Sequence, residues 1–349
     1  MMRRAVRATL RRLPGVVSVA RALRRARTAA TASVQRMIPA QTAARRLAAA
    51  MAKRPGWFPR DGIELAVRLA DALHAHDDES NRWGHARWTG IFAEMLDAAA
   101  ADLPALDALD AVCLGAGTRN PLAFPLLLYL AGARRVWVVE PELAASDEDW
   151  RLRWGLQEMA LRMLVGDIQS RHFRRSPAMI DGFVDVRALF FGTSARQALR
   201  ADAVRILDTY LEDAAIPAGS VGLVTSRSVL EHVSETERCF DALAAMVGPG
   251  GVMCHHIDLS AHDGRDRFAF YYTTPKKAAR RSDGLNGLRL SDYMAAFTAR
   301  GFICRVIDAR IDEDYDLHRR PLSARFAGYS ERDLRCARAS LVCVKRATM

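Results

Sequence analysis

At 349 residues and 50% hydrophobic content, the chain is long enough to bury one substantial α/β core with additions around it. Six cysteines (Cys113, Cys239, Cys254, Cys304, Cys336 and Cys343) are scattered without CxxC pairs, and several fall in predicted strands; they read as reduced core residues of a cytosolic protein, not a disulfide frame. The net charge of +11 is unevenly placed: residues 1–60 hold fifteen Lys or Arg and no Asp or Glu, which leaves the remainder net acidic by four.

The chain therefore opens on a basic arm. Arg3, Arg4, Arg7, Arg11 and Arg12, then Arg21, Arg24, Arg25 and Arg27, alternate with Ala, Leu and Val at roughly helical spacing, interrupted by Pro14-Gly15. Such a pattern suits peripheral contact with an anionic membrane surface through residues 1–36, a transit-like presequence or a solvated tail, unless translation begins at Met37 or Met51. Nucleic acid is not an expected partner, because no aromatic residue is interleaved with these arginines before Trp57. The expected layout is an arm over 1–55, a helical lead-in over 56–104 and the main domain over 105–349. Trp83, His85 and Trp88 in the lead-in suit packing over the core or over a substrate mouth.

The main domain begins with its most informative stretch. A short apolar run, Ala111 to Leu114, breaks into Gly115-Ala116-Gly117; a helix-length apolar segment follows, then a second β-type run, Val136 to Val139, ending in Glu140. Glycines at such a turn let the backbone approach a ligand, and an acid after the second strand accepts hydrogen bonds from ribose hydroxyls. An adenosine-containing cofactor is expected. Asn120 and Pro121 suit the N-cap and first position of the helix. Asn120 also stands where a dinucleotide fingerprint needs its third glycine, which argues against a nicotinamide site. The apolar run Pro121 to Ala133 is too short to span a bilayer.

Further along, Ser146-Asp147-Glu148-Asp149 starts a predicted helix reaching about Val165. Phe183 to Phe191 reads as an extra strand or an inserted hairpin. The third strand is placed near Arg205 to Leu211, leading to Glu212-Asp213-Ala214. Val221 to Ser226 reads as a buried strand, followed by Ser228 to Val233. A capping box, Ser234-Glu235-Thr236-Glu237, opens a helix closed by Gly248-Pro249-Gly250-Gly251. Strands are then expected at Val252 to Ile257, Ile303 to Ile307 and near Leu341 to Val344. Between the first two of these, residues 264–300 form an insertion with aromatics (Phe268, Phe270, Tyr271, Tyr272), a basic run (Lys276, Lys277, Arg280, Arg281) and Asn286 to Tyr293.

This succession resembles the class I S-adenosylmethionine-dependent methyltransferases over roughly residues 105–345. Their fourth strand often runs into S-x-S-V-L-E-H-V, here Ser226 to Val233, and a P-G-G turn commonly precedes their fifth. The fold implied is α/β, with a Rossmann-like seven-stranded sheet, mostly parallel, and helices on both faces. The first motif departs from the pattern: Cys113 holds the usual acid position and Arg119 that of the third glycine, although a G-x-G-T-R-N-P variant is familiar from a bacterial subset. Gly222 also stands where many relatives carry an acid. The combination H-H-I-D-L with a later N-x-L-R resembles methyltransferases of bacterial polysaccharide or secondary-metabolite type.

The resemblance implies S-adenosylmethionine along strands one, two and four. Gly115, Ala116 and Gly117 would admit its methionine portion, Glu140 would hold the ribose hydroxyls, Asp213 (with Glu212 as competitor) would sit near the adenine, and Ser226 would line the same edge. Ligands bind at the carboxyl ends of the strands in such sheets, where four of the nine histidines cluster between positions 232 and 262. Alternation puts His256 and Asp258 on one face of a strand and His255 on the other. His256 is the first choice of base for an acceptor hydroxyl, His232 the second, and Asp258 the orienting acid. His255, Asn286 and Arg289 are expected to contact the acceptor, a small polar molecule such as a metabolite or the sugar of a glycan. No glutamate or histidine spacing matches a metal ligand set, and no metal is expected. The readings left standing beside methyl transfer are a non-catalytic cofactor-binding scaffold docked through the basic arm, and an NAD(P)-dependent oxidoreductase.

Overall fold

The computed structural model describes residues 49–54, 56, 85–117, 120–144, 148–262, 266–272 and 284–347. The chain divides into two units, 1–76 and 77–349; in the first, residues 49–52 are helical. The basic arm up to residue 48, Trp83, Arg119 and the run Lys276 to Arg281 lie outside the described residues.

The second unit is organised by seven strands: β1 (Asp110–Leu114), β2 (Val136–Val139), β3 (Val204–Leu207), β4 (Val221–Arg227), β5 (Val247–Asp258), β6 (Phe302–Ile311) and β7 (Cys336–Lys345). They form one sheet in the order β3-β2-β1-β4-β5-β7-β6. The pairs β1–β2, β2–β3, β1–β4 and β4–β5 are parallel, whereas β7 runs antiparallel to both β5 and β6. Every residue of β1 and β2 is buried, as near-continuous apolar runs in a parallel sheet covered on both faces require. This is the mostly parallel, Rossmann-like arrangement the sequence leads one to expect.

The helices are α1 (His85–Ala99), α2 (Ala123–Leu130), α3 (Glu148–Leu164), α4 (Val186–Phe191), α5 (Ala195–Ala198), α6 (Thr236–Met246), α7 (Leu290–Ala299) and α8 (Glu331–Leu334). All eight residues of α2 are buried, which explains its lack of a polar face. In α6 the buried residues Cys239, Phe240, Leu243 and Met246 form one stripe, and with Tyr293 and Phe297 of α7 they pack onto Val224, Met253, Ile257 and Leu341 of the sheet. A second cluster, built around Phe268, Tyr271, Leu317, Phe326, Leu334 and Ala337, covers the start of β7. No helix among the described residues is long and apolar enough to cross a membrane.

Several local expectations need correction. Phe183 to Phe191 is not a strand or hairpin: the Asp185 carboxylate accepts the Ala188 N–H at 2.9 Å and caps α4, and only Val184 bridges to Leu199. Strand β3 ends at Leu207, four residues before its expected limit. The Ser234 capping box does not form, since α6 starts at Thr236 with Glu235 at the N-cap and no side-chain bond. Nor does the Asn120 side chain cap α2. Its backbone carbonyl accepts the Ala123 N–H, while its amide lies buried and without a hydrogen bond against Gly155, where a Cβ would meet Oδ1 at 2.1 Å.

Candidate functional site

The ligand edge of the sheet is built from the turn after β1. Gly115 and Gly117 adopt φ of +68° and +75°, a region open to glycine at little cost. The two glycines are constrained differently. A Cβ on Gly115 would lie 2.1 Å from Cγ2 of Val229, so the turn is pressed against the segment that follows β4. A Cβ on Gly117 would project into open space. The Gly115 N–H donates to the Val139 carbonyl at 2.9 Å and the Gly117 N–H to Glu140 Oε2 at 2.8 Å, so the turn is stitched to the end of β2. Glu140 Oε1 accepts the Glu142 N–H at 3.2 Å. Burial raises the Glu140 carboxyl above its usual range; its two N–H bonds oppose that shift and the neighbouring Glu142 charge adds to it.

The first motif's missing acid is explained by packing. Cys113 is buried in β1 with its thiol pushed up to about 12 by desolvation, so it stays neutral and acts as a small apolar residue. Asp110, three residues earlier, takes Trp137 Nε1 and Arg134 Nε at 2.8 Å each. It anchors the opposite end of the strand. Gly222 cannot carry an acid here, since its Cβ would meet Cδ1 of Leu109 at 2.4 Å.

After β4 the chain turns sharply. Ser228 takes φ +52°, the one positive φ outside glycine among the described residues, and donates its N–H to the His256 carbonyl at 2.7 Å. Val229 then meets Gly115, and a 3-10 turn, Leu230–His232, follows. Asn286 pins this turn. Its N–H donates to the Glu231 carbonyl, its amide NH2 to the carbonyls of Leu230 and Val233, and its Oδ1 accepts from Leu288 N and Tyr293 Oη. With its amide fully engaged, Asn286 is a structural pin whose side-chain hydrogen bonds are already spent, although it lines the neighbouring cleft. A cleft of about 340 Å³, lined by Ser234, Thr236, Leu288 and Arg325 among others, opens beside it.

Arg289 is a second correction. It is completely buried, and its guanidinium donates to the carbonyls of Leu259, Asp333, Leu334 and Cys336 while lying over the Tyr271 ring. It fastens the end of β5 to the start of β7 and does not reach solvent. His255 and Ser226 are likewise internal: Ser226 Oγ and His255 Nδ1 are 2.7 Å apart, and the imidazole stacks on Phe297. Desolvation depresses His255 to about 3.

His256 points to the other face, as alternation requires, with Nδ1 3.0 Å from Ser340 Oγ. Burial first, then the charges of Arg227 and Arg338, lower it to about 4. The expected pairing of His256 with Asp258 does not form. Asp258 Oδ1 instead accepts from Ser260 N and Oγ, and its Oδ2 lies 3.8 Å from His262 Nε2. His262 in turn approaches His232, with ring centroids 5.0 Å apart. Glu231, 2% exposed, takes the Asp258 N–H on Oε1 at 3.2 Å, and burial raises its carboxyl to about 8. Asp213, half-exposed, pairs with Arg238 of α6 at 2.9 Å. Sequence reading gave roles to His232 and Asp258, counted His262 in the same histidine cluster without a role, and gave none to Glu231; the visible signal was the acid–histidine pair inside S-V-L-E-H-V and the i, i+4 spacing of Asp258 and His262.

Residues 184–255, from the bridge before α4 to the middle of β5, match the family model described as a methyltransferase domain. No curated protein matches the chain in sequence. Among solved structures, the YcgJ protein of Bacillus subtilis is similar at 14% identity and TM-score 0.40, covering 75% of this chain and 99% of its own. An S-adenosylmethionine-dependent methyltransferase of Mesorhizobium loti gives 16% identity and TM-score 0.39, with 71% and 96% covered. An arsenic(III) S-adenosylmethionine methyltransferase of Chlamydomonas reinhardtii gives 14% and 0.38, with 71% and 67% covered.

Proposed function

We propose that the methyltransferase domain of this chain moves the methyl group of S-adenosylmethionine onto a hydroxyl of a small polar acceptor, a metabolite or the sugar of a glycan. S-adenosylmethionine is the cofactor, and the residues present fit it. Gly117 leaves open backbone beside Glu140, its neighbour Gly115 holds the turn in place, and the Glu140 carboxylate stands at the end of β2 to accept hydrogen bonds from a ribose. Bound there, the cofactor supplies an electrophilic methyl group for in-line displacement. The protein's part is alignment and handling of the acceptor's proton. His256 is a poor base: it is held neutral at pH 7, and the cationic side chains around it oppose protonation. His232, exposed at the end of the turn after β4 beside His262 and Glu231, is better placed to take the proton. Hydroxyls at Ser234 and Thr236 and the Arg325 guanidinium give the adjoining cleft a polar lining that suits a hydroxylated acceptor.

The observation that carries this reading is the Gly117–Glu140 hydrogen bond beneath an open backbone. Calorimetric titration of the purified protein with S-adenosylmethionine and S-adenosylhomocysteine, with NADH and NADPH as controls, tests it. Micromolar binding of the first two is expected. Glu140→Ala removes a charged acceptor worth about 1.5–3 kcal/mol and should weaken binding by roughly 10-fold or more. Nicotinamide binding, or equal affinity in the variant, would overturn the assignment.

A further inference from the structure

Linear spacing gives no metal motif in this chain, yet the fold assembles one set of donors. Glu231 and His232 arrive on the 3-10 turn after β4, and His262 arrives on the loop after β5, thirty residues later. One donor atom from each lies within 4.8 Å of the other two, the one such group among the described residues. Two of the three, His232 and His262, are exposed, as the members of a chance surface cluster would be. Glu231 is 98% buried by contrast, and its Oε2 has no hydrogen-bond partner. The turn that carries it is fixed by Asn286 and by the Asp258 N–H, so the unpartnered oxygen is built in and not a loose rotamer. Asp258 stands 3.8 Å from His262 Nε2, with its other oxygen held by Ser260. At that distance Asp258 is a charged neighbour of the imidazole and not its hydrogen-bond partner.

We propose that Glu231, His232 and His262 bind one divalent transition-metal ion at the acceptor edge of the sheet. Two imidazoles and one carboxylate are a borderline donor set that suits Mn²⁺, Fe²⁺, Co²⁺ or Zn²⁺ better than Ca²⁺ or Mg²⁺. Three protein ligands would leave a coordination position for an oxygen of water or of the acceptor. With the ion bound, His232 would be a ligand and not the proton acceptor named above, and an oxygen acceptor at the open position would lose its proton to water more readily than in bulk. That consequence rests on the function proposed above; the binding of the ion does not.

Untagged full-length protein, stripped with EDTA and titrated with Co²⁺, reports the site directly through visible absorption of the bound ion, with stoichiometry from elemental analysis. One equivalent is expected. His232→Ala and His262→Ala should each weaken Co²⁺ at least 10-fold, and Glu231→Gln likewise, whereas His318→Ala, at an exposed pair with Glu331, should leave it unchanged. Should Glu231→Gln fail to fold, the two histidine variants carry the test. Binding well below one equivalent, or unchanged in a His232→Ala/His262→Ala double variant, overturns the proposal. S-adenosylmethionine titrated into the same stripped samples reads the cofactor assignment separately, so failure of one is distinguishable from failure of the other.

Discussion

Gly115→Ala tests how tightly the cofactor turn is held. Two effects oppose the substitution. An alanine held in the left-handed region costs about 1–2 kcal/mol. Its Cβ would also fall 2.1 Å from Val229 Cγ2 and 2.9 Å from Cγ1, so the valine or the turn must move, an overpacking cost of about 1–3 kcal/mol. Together these give about 2–5 kcal/mol. Gly117→Ala is the internal control: its φ of +75° brings the same backbone term, but no atom lies within 4 Å of the new Cβ, so only about 1–2 kcal/mol is expected. The loss of unfolded-chain entropy is common to both and cancels in the comparison. In the background of Val229→Ala the steric part of the Gly115→Ala penalty should disappear, a coupling of about 1–3 kcal/mol in a double-mutant cycle. Urea midpoints at constant m give the values. Equal penalties at the two glycines, or no relief from Val229→Ala, would refute the contact as the cause. For the ligand, Gly117→Ala puts its methyl group into the space beside Glu140 and should weaken S-adenosylmethionine at a smaller cost in stability than Gly115→Ala.

Two more outcomes follow from buried groups. His255 is neutral in the folded state down to about pH 3, whereas the unfolded chain protonates it below its ordinary 6.5. The folded protein then binds fewer protons, so stability should fall as the pH drops from about 6.5 toward 3, by roughly 1.4 kcal/mol per unit. His255→Gln should flatten urea-derived stability against pH by about one proton over that window; an unchanged slope would show that the imidazole is not the group responsible. Arg289→Met takes the guanidinium donor from the Leu259, Asp333 and Cys336 carbonyls, while Leu334 keeps the Tyr271 hydroxyl, and should lower stability by about 3 kcal/mol or more. Arg289→Lys should restore little, because one ammonium cannot reproduce the planar fork; recovery of most of the stability in the lysine variant would contradict the clamp.

What could be read from the sequence was whatever depended on neighbours along the chain. Ala111 to Leu114 and Val136 to Val139 are continuous apolar runs, Val221 to Val224 is a third closed by Thr225 and Ser226, and the three lie side by side at the centre of the sheet. The helix proposed from Ser146 to Val165 is α3. Phe183 to Phe191 misled because Phe183, Val184, Val186, Phe190 and Phe191 are strand-favouring types, while the deciding feature was one aspartate acting as a cap. Asn286 and Arg289 looked like ligand donors because they are polar and follow a glycine-rich loop. They are structural because Tyr293, Cys336 and the aromatic cluster between residues 268 and 326 close over them. Glu231 and His262 were hidden for the converse reason: only the register of β4 against β5, which sets Ser226 beside His255 and Arg227 beside His256, brings their loops together.

The left-handed bend at Ser228 joins the turn proposed to hold the cofactor to the residues proposed to meet the acceptor. Within four residues the backbone leaves the strand, presses Val229 onto the cofactor turn, and delivers Glu231 and His232 to the acceptor side. A segment this short has no slack to absorb a displacement at one end. Drift in acceptor preference through residues 230–232 would therefore carry a penalty in cofactor affinity, and by thermodynamic reciprocity each ligand should alter the binding of the other by the same factor.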